Sequence, residues 1–187
     1  MQIPDDYTPP RNEPYNLERF RVLVIEDATF ISDLLCSCMT EMGVGSVVRA
    51  FDLEDAKDKI LSNNAIACPT NIDMVLLDWL LPGGTGGDLL KWMRKHKGPL
   101  IRFLPVVVCS AYTSTKLVFE SRDSGANEVM VKPVSAEKIA KRMLHIIDNP
   151  RPYVQSPTFI GPDRRRQTLD YHGDDRRKIE PEVISEK

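Results

Sequence analysis

From Phe20 onward, short apolar runs alternate with segments of helical period. Arg21-Val22-Leu23-Val24-Ile25 is a continuous apolar stretch that ends in Glu26-Asp27, the pattern of a buried strand with carboxylates at its C-terminal end. Phe30, Ile31, Leu34, Leu35, Cys38 and Met42 then recur at helical spacing over 29–42, and Gly43 stops the helix. Ser46–Ala50 reads as a second strand. Asp52 caps a helix over 53–61, with Asp55 in the capping-box position. Met74–Asp78 is a third apolar run ending in a carboxylate. A Pro82-Gly83-Gly84 loop and a helix over 88–96 follow it. Residues 105–110 form a fourth strand and 114–124 a helix. Glu128–Val131 is the fifth strand, ending at Lys132-Pro133, and Ser135 caps a last helix striped by Ile139, Met143, Ile146 and Ile147.

Five apolar strands alternating with five helices predict an α/β domain, a doubly wound five-stranded parallel sheet with helices on both faces. In such folds ligands gather beyond the carboxyl ends of the strands. Strand one therefore delivers Glu26 and Asp27 to one rim, strand three Asp78, strand four Ser110 and strand five Lys132. Any one of these is a routine strand-end polar residue, but five at matched strand ends make a site. Three clustered carboxylates repel one another and call for a cation. An oxygen-only, partly open cluster suits Mg²⁺. A carboxylate beside such an ion can attack a phosphoryl group and form an aspartyl phosphate, with Lys132 and the Ser110 hydroxyl placed to bind phosphoryl oxygens.

Composition adds the boundaries. Nine of the 14 prolines fall within the 54 residues at 1–16 and 150–187, against five in the 133 between. This predicts a Pro-rich N-terminal tail over 1–16, one domain over 17–149, and a Pro/Arg-rich C-terminal arm over 150–187. The net charge of −2 excludes binding to nucleic acid or anionic membrane through bulk charge. There is no apolar stretch of membrane-spanning length and no signal-peptide pattern at Met1–Asp6, so the expected location is the cytoplasm. Cys36, Cys38, Cys68 and Cys109 have no zinc-like spacing and are expected to remain thiols.

The acidic pair Glu26-Asp27, Asp78-Trp79-Leu80-Leu81-Pro82 with Gly86 beyond it, Ser110-Ala111 and Lys132-Pro133 resemble the motifs of the response-regulator receiver domain, the CheY-like phosphoacceptor module of two-component signalling. The resemblance spans about residues 20–149. It implies a flavodoxin-like sheet in the strand order 2-1-3-4-5. It also implies phosphorylation of Asp78 by a histidine kinase or histidine phosphotransfer protein. Glu26, Asp27, Asp78 and the Leu80 backbone carbonyl would arrange Mg²⁺. Ser110 and Lys132 would contact the phosphoryl group, and Lys132-Pro133 would be a cis peptide. The chain would catalyse its own phosphotransfer without being a turnover enzyme.

Two positions depart from the family pattern. Val129 stands where the family usually carries the aromatic that turns inward with the hydroxyl residue, so switching must run through backbone and packing shifts, or through Tyr112 as a substitute. Leu80 and Tyr112, beside the phosphoryl group by resemblance, would obstruct an attacking water and slow loss of phosphate.

The 38 residues after Asn149 lack an amphipathic period, which argues against a helix-turn-helix output and makes DNA an unexpected partner. They contain a repeat at an offset of 12: Phe159-Ile160-Gly161-Pro162-Asp163-Arg164-Arg165-Arg166 is echoed by Tyr171-His172-Gly173-Asp174-Asp175-Arg176-Arg177-Lys178. Four acidic residues offset six basic ones over 161–178, which suits a solvated, disordered arm. Arginine at five of the six basic positions suits planar recognition instead. The arm resembles the arginine-rich tails of CheY-like proteins that bind cyclic di-GMP, which would make Arg164, Arg165, Arg166, Arg176 and Arg177 ligand-binding. An arm packing on an output partner, or on a second copy as a homodimer with Phe159 and Tyr171 as anchors, is the competing expectation.

Overall fold

The computed structural model describes residues 15–111, 114–163 and 181–184. Its centre is a five-stranded parallel sheet built from β1 (Arg21–Ile25), β2 (Ser46–Ala50), β3 (Met74–Asp78), β6 (Val106–Ser110) and β7 (Glu128–Val131), in the order β2-β1-β3-β6-β7. Leaving out the two-residue strands β4 (Leu80–Leu81) and β5 (Gly84–Thr85), which pair with each other in the loop after β3, this is the expected order. Register aligns Ile25 with Ala50 and Leu77, Asp78 with Cys109, and Ser110 with Val131, so the strands end at one level.

The apolar runs are continuous because both sheet faces are covered. Leu23, Ile25, Val75, Leu77, Val106 and Val108 pack with residues of α2 (Leu53–Asn64), α3 (Gly86–Lys95), the short α4 (Pro99–Arg102) and α5 (Thr115–Asp123). Val22, Val24, Met74, Leu76, Val107 and Cys109 face the other way, against α1 (Thr29–Glu41) and α6 (Ala136–Asp148). Helix limits follow local chemistry. The Asp52 carboxylate accepts from Asp55 N at 2.8 Å, and Ser135 Oγ accepts from Lys138 N at 3.3 Å. Gly43, at φ +80°, ends α1. The Asp55 carboxylate reaches Phe51 N, one residue before the cap, and not Asp52 N as a capping box would. The full box lies instead at α3, where Thr85 and Asp88 exchange bonds. The four cysteines are thiols.

The flanks differ from the sequence reading in two respects. Residues 153–162 form a hairpin, β8 (Tyr153–Ser156) with β9 (Phe159–Pro162), and β10 (Glu182–Val183) pairs with the other edge of β8. Tyr153, Val154, Gly161 and Pro162 are buried. A stripe of alternating residues was not visible there because both faces of the hairpin are covered near its start, and Gly161 and Pro162 carry no hydropathy signal. At the other end, Tyr15 packs on the α1/α6 side of the core and donates a hydrogen bond to the Asp148 carboxylate. No helix among the described residues is long and apolar enough to cross a membrane.

Candidate functional site

The strand ends bring Glu26, Asp27, Asp78, Ser110 and Lys132 to one rim. One carboxylate oxygen from each of Glu26, Asp27 and Asp78 lies within 4.8 Å of the other two. Glu26 is buried and its backbone N–H donates to Ala50 O at 3.0 Å, which fixes it as an extension of β1. Asp27 is exposed and Asp78 half-buried. Across from them, Lys132 Nζ lies 2.5 Å from Glu26 Oε2 and 3.2 Å from Asp78 Oδ1. Its position follows from the sheet, because Lys132 N donates to Ser110 O at 2.7 Å just past the last paired residues of β6 and β7. Ser110 is buried at the end of β6. The peptide from Lys132 to Pro133 is cis.

Burial sets the electrostatics. Desolvation raises the Glu26 and Asp78 carboxyls above their ordinary values, although Lys132 pulls both back. Burial also works against the Lys132 ammonium, yet its bonds to Glu26 and Asp78 hold it above the usual lysine value. Desolvation pushes the neighbouring Cys109 thiol up to about 12, which leaves it protonated and inert. One ammonium among three carboxylates leaves the rim with excess negative charge. An all-oxygen donor set of this kind, one carboxylate open to solvent and two partly or fully buried, fits a divalent hard cation such as Mg²⁺.

The loop after Asp78 is held tightly. Trp79 N donates to Asp78 Oδ1 at 2.8 Å, and Gly86 N donates to Trp79 O at 2.8 Å. A side chain at Gly86 would bring its Cβ to 2.8 Å from the Asp78 carbonyl oxygen, so glycine is what lets α3 start directly under the loop. Leu80 lies on β4, two residues after Asp78, with its side chain half exposed. Val129 is partly buried and packs on the α2/α3 side of the core, leaving that position aliphatic. Tyr112 and Arg164, Arg165, Arg166, Arg176 and Arg177 lie outside the described residues.

Two features had no clear sequence signal. Trp79 is buried beside Gly87, where an added Cβ would meet its ring at 2.9 Å. Arg94 is a fully buried guanidinium on α3. It donates to Gly125 O at 3.0 Å, Arg102 O at 2.7 Å, Leu104 O at 3.0 Å and Asn127 Oδ1 at 3.2 Å. Its Arg-Lys-His-Lys setting (residues 94–97) reads as a solvated helix end, and only the tertiary arrangement of three carbonyls around it shows otherwise.

Comparison with known proteins agrees with this geometry. The phosphate regulon transcriptional regulatory protein PhoB of Escherichia coli K12 is 28% identical over 123 residues, 66% of this chain and 49% of PhoB. The chain thus spans about half the length of the curated relatives of this type that it matches. A response regulator structure from Chloroflexus aurantiacus J-10-fl superposes with a TM-score of 0.62 at 26% identity, covering 70% of this chain and 98% of that one. A CheY from Borrelia burgdorferi, solved in complex with CheX, BeF₃ and Mg²⁺, superposes with a TM-score of 0.59 at 27% identity, covering 68% and 89%. The response regulator receiver domain family matches residues 22–144. Strand order, acidic rim and lysine therefore converge with the similarity of sequence: this chain belongs to the response regulator receiver domain family, the CheY-like domain of two-component signalling.

Proposed function

We propose that Asp78 is the phosphoacceptor of a receiver that passes its state on by protein contact. The observation that carries this reading is the convergence of three carboxylates within 4.8 Å, with Lys132 Nζ at 3.2 Å from Asp78. An Asp78 carboxylate oxygen attacks the phosphorus of a phosphohistidine on a kinase or phosphotransfer protein, the P–N bond breaks, and the imidazole leaves. Lys132 exchanges its bond to Glu26 for one to a phosphoryl oxygen, and Ser110 donates to another. Glu26, Asp27, Asp78 and the Leu80 carbonyl would hold Mg²⁺, which supplies neutralising charge to the phosphoryl group. Leu80, half exposed two residues after Asp78, restricts access for water, so the acyl phosphate is long-lived. Pro133 and Val129 shift with Lys132 and Ser110, through packing where the family uses an aromatic ring. A cytoplasmic setting follows from a histidine-kinase donor.

The test is incubation with acetyl phosphate and Mg²⁺, read by intact mass. The wild type is expected to gain one alkali-labile phosphoryl group and Asp78→Asn none; an unmodified wild type overturns the assignment. A cyclic di-GMP ligand for the arginine-rich repeat is supported by composition alone. Gly161 of its first copy already has a packing role against Gly125, which weakens the case for a ligand motif. Calorimetry of cyclic di-GMP with the intact chain checks that reading, and absence of heat removes it.

A further inference from the structure

Two chains of contact run from the Asp78 rim to the seat of the C-terminal hairpin. On the α3 side, the Trp79 ring lies against Gly87, and the same built Cβ at Gly87 comes within 3.4 Å of Ser124 Oγ, at the end of α5. Ser124 leads into Gly125, at φ +98°. There an added side chain would meet Arg94 Cγ at 2.8 Å and the Ile160 carbonyl of β9 at 2.9 Å. Gly161 answers it, its own built Cβ falling 2.9 Å from Gly125 Cα. Two backbones meet here with no room for a methyl group on either.

On the β7 side, Lys132 is followed back along the strand to Glu128, buried at its start. Arg151, immediately before the hairpin, donates to the Glu128 carboxylate at 2.9 Å and to the Asn127 carbonyl. Arg142 of α6 holds the second Glu128 oxygen at 3.2 Å. Between the two routes sits Tyr153. Its hydroxyl donates to Asn127 Oδ1 at 3.2 Å, its ring meets Phe103 edge-on at 5.0 Å, and the Arg94 guanidinium lies 5.2 Å from its centre. The hairpin is thus an intramolecular ligand whose seat is made by the turn between α5 and β7, the first residues of β7 and the buried arginine of α3.

We infer that seating of this hairpin and phosphorylation of Asp78 oppose each other, which makes residues 151–162 a built-in output element of the receiver. The inference rests on the phosphoacceptor reading. With Lys132 bonded to both Glu26 and Asp78, β7 and the Asp78 loop stand where Gly125 and Glu128 fit the hairpin. A phosphoryl group on Asp78 draws Lys132 off Glu26 and displaces β7 and the Trp79 loop, the two elements that shape the seat. Packed elements respond to such a shift by changing arrangement, since close-packed glycine backbones leave no slack. A contiguous route of this kind makes coupling possible, and the two equilibria must then be affected by the same factor.

Beryllium fluoride with Mg²⁺, added to the full chain, tests this. ¹⁹F NMR reports whether fluoroberyllate binds, and hydrogen exchange of the 151–162 segment reports hairpin seating. With fluoroberyllate bound, exchange in β8 and β9 is expected to accelerate about fivefold or more. Arg151→Gln, which cuts the Glu128 link, is expected to bind fluoroberyllate tighter by a similar factor. Gly161→Ala, which unseats β9 by a different contact, is expected to do the same. Bound fluoroberyllate with less than about a twofold change in hairpin exchange overturns the coupling and leaves the phosphoacceptor reading standing. Failure to bind fluoroberyllate at all overturns that reading, and the coupling with it.

Discussion

Asp78 and Glu26 are held above their ordinary values of 3.8 and 4.5, chiefly by burial. An acid with a raised folded-state pKa binds protons more tightly folded than unfolded. Stability therefore falls as pH rises from the ordinary value through the raised one, and the cost is complete above that window. Asp78→Asn removes one such charge while Lys132 keeps Glu26. We expect its Tm at pH 7 to exceed that of the wild type by ~2–4 °C, with the gain fading as pH falls toward 3.8. Calorimetry at several pH values checks this, and a lowered Tm at neutral pH contradicts it. Arg94 is a buried cation: desolvation lowers its pKa, and four acceptors and an aromatic face surround the guanidinium. Arg94→Met keeps an unbranched apolar stem but strands Gly125 O, Arg102 O and Leu104 O, while Asn127 Oδ1 keeps Val106 N–H and the Tyr153 hydroxyl. A loss of about 3 kcal/mol or more is expected in urea unfolding. A loss below about 1 kcal/mol would mean water replaces the guanidinium.

At the scale of elements, the junction of β3 and α3 has the least tolerance. The loop from Asp78 to Gly86 closes through the β4–β5 pair and Gly86 N to Trp79 O, and the Thr85–Asp88 capping box fixes where α3 begins. Gly86→Ala puts a methyl group 2.8 Å from the Asp78 carbonyl, a backbone atom that can give way only by moving the loop. Acetyl phosphate labelling of Asp78 is expected to slow about tenfold, because a small displacement of a reacting group costs rate steeply. Labelling at the wild-type rate would show that the loop absorbs the methyl group without moving the carboxylate. The hairpin obeys similar logic, its glycine pair and its two arginine anchors all lying at the end of the sheet opposite the rim.

For the whole molecule, the hairpin makes the receiver larger than its family core. Removing residues 151–187 uncovers Phe103, Arg94 and Asn127 and discards buried Tyr153 and Val154, which contribute about 1.5–3 kcal/mol apiece. Thermal unfolding of the truncated protein is expected roughly 5–10 °C below the intact chain. An unchanged Tm would mean that the hairpin rests on the receiver without stabilising it.

The strands and the rim were legible because each central strand is an unbroken apolar run with a polar residue at its carboxyl end, and the strand order followed from the family resemblance. A parallel sheet places those ends together whatever the loops do. Caps at Asp52 and Ser135 were equally local, each a side chain bonding a backbone N–H three residues on. The hairpin, the fate of Arg94 and the role of Gly125 and Gly161 were not legible. They depend on carbonyls, rings and backbones brought together from separate elements, Arg94 and Gly125 lying 31 residues apart. Sequence by itself determined the sheet and the chemistry of its rim, since both follow from periodicity and chain direction. Tertiary structure alone decided that residues 151–162 pack on the receiver core, because close approach and buried polar satisfaction have no periodic signature in a chain.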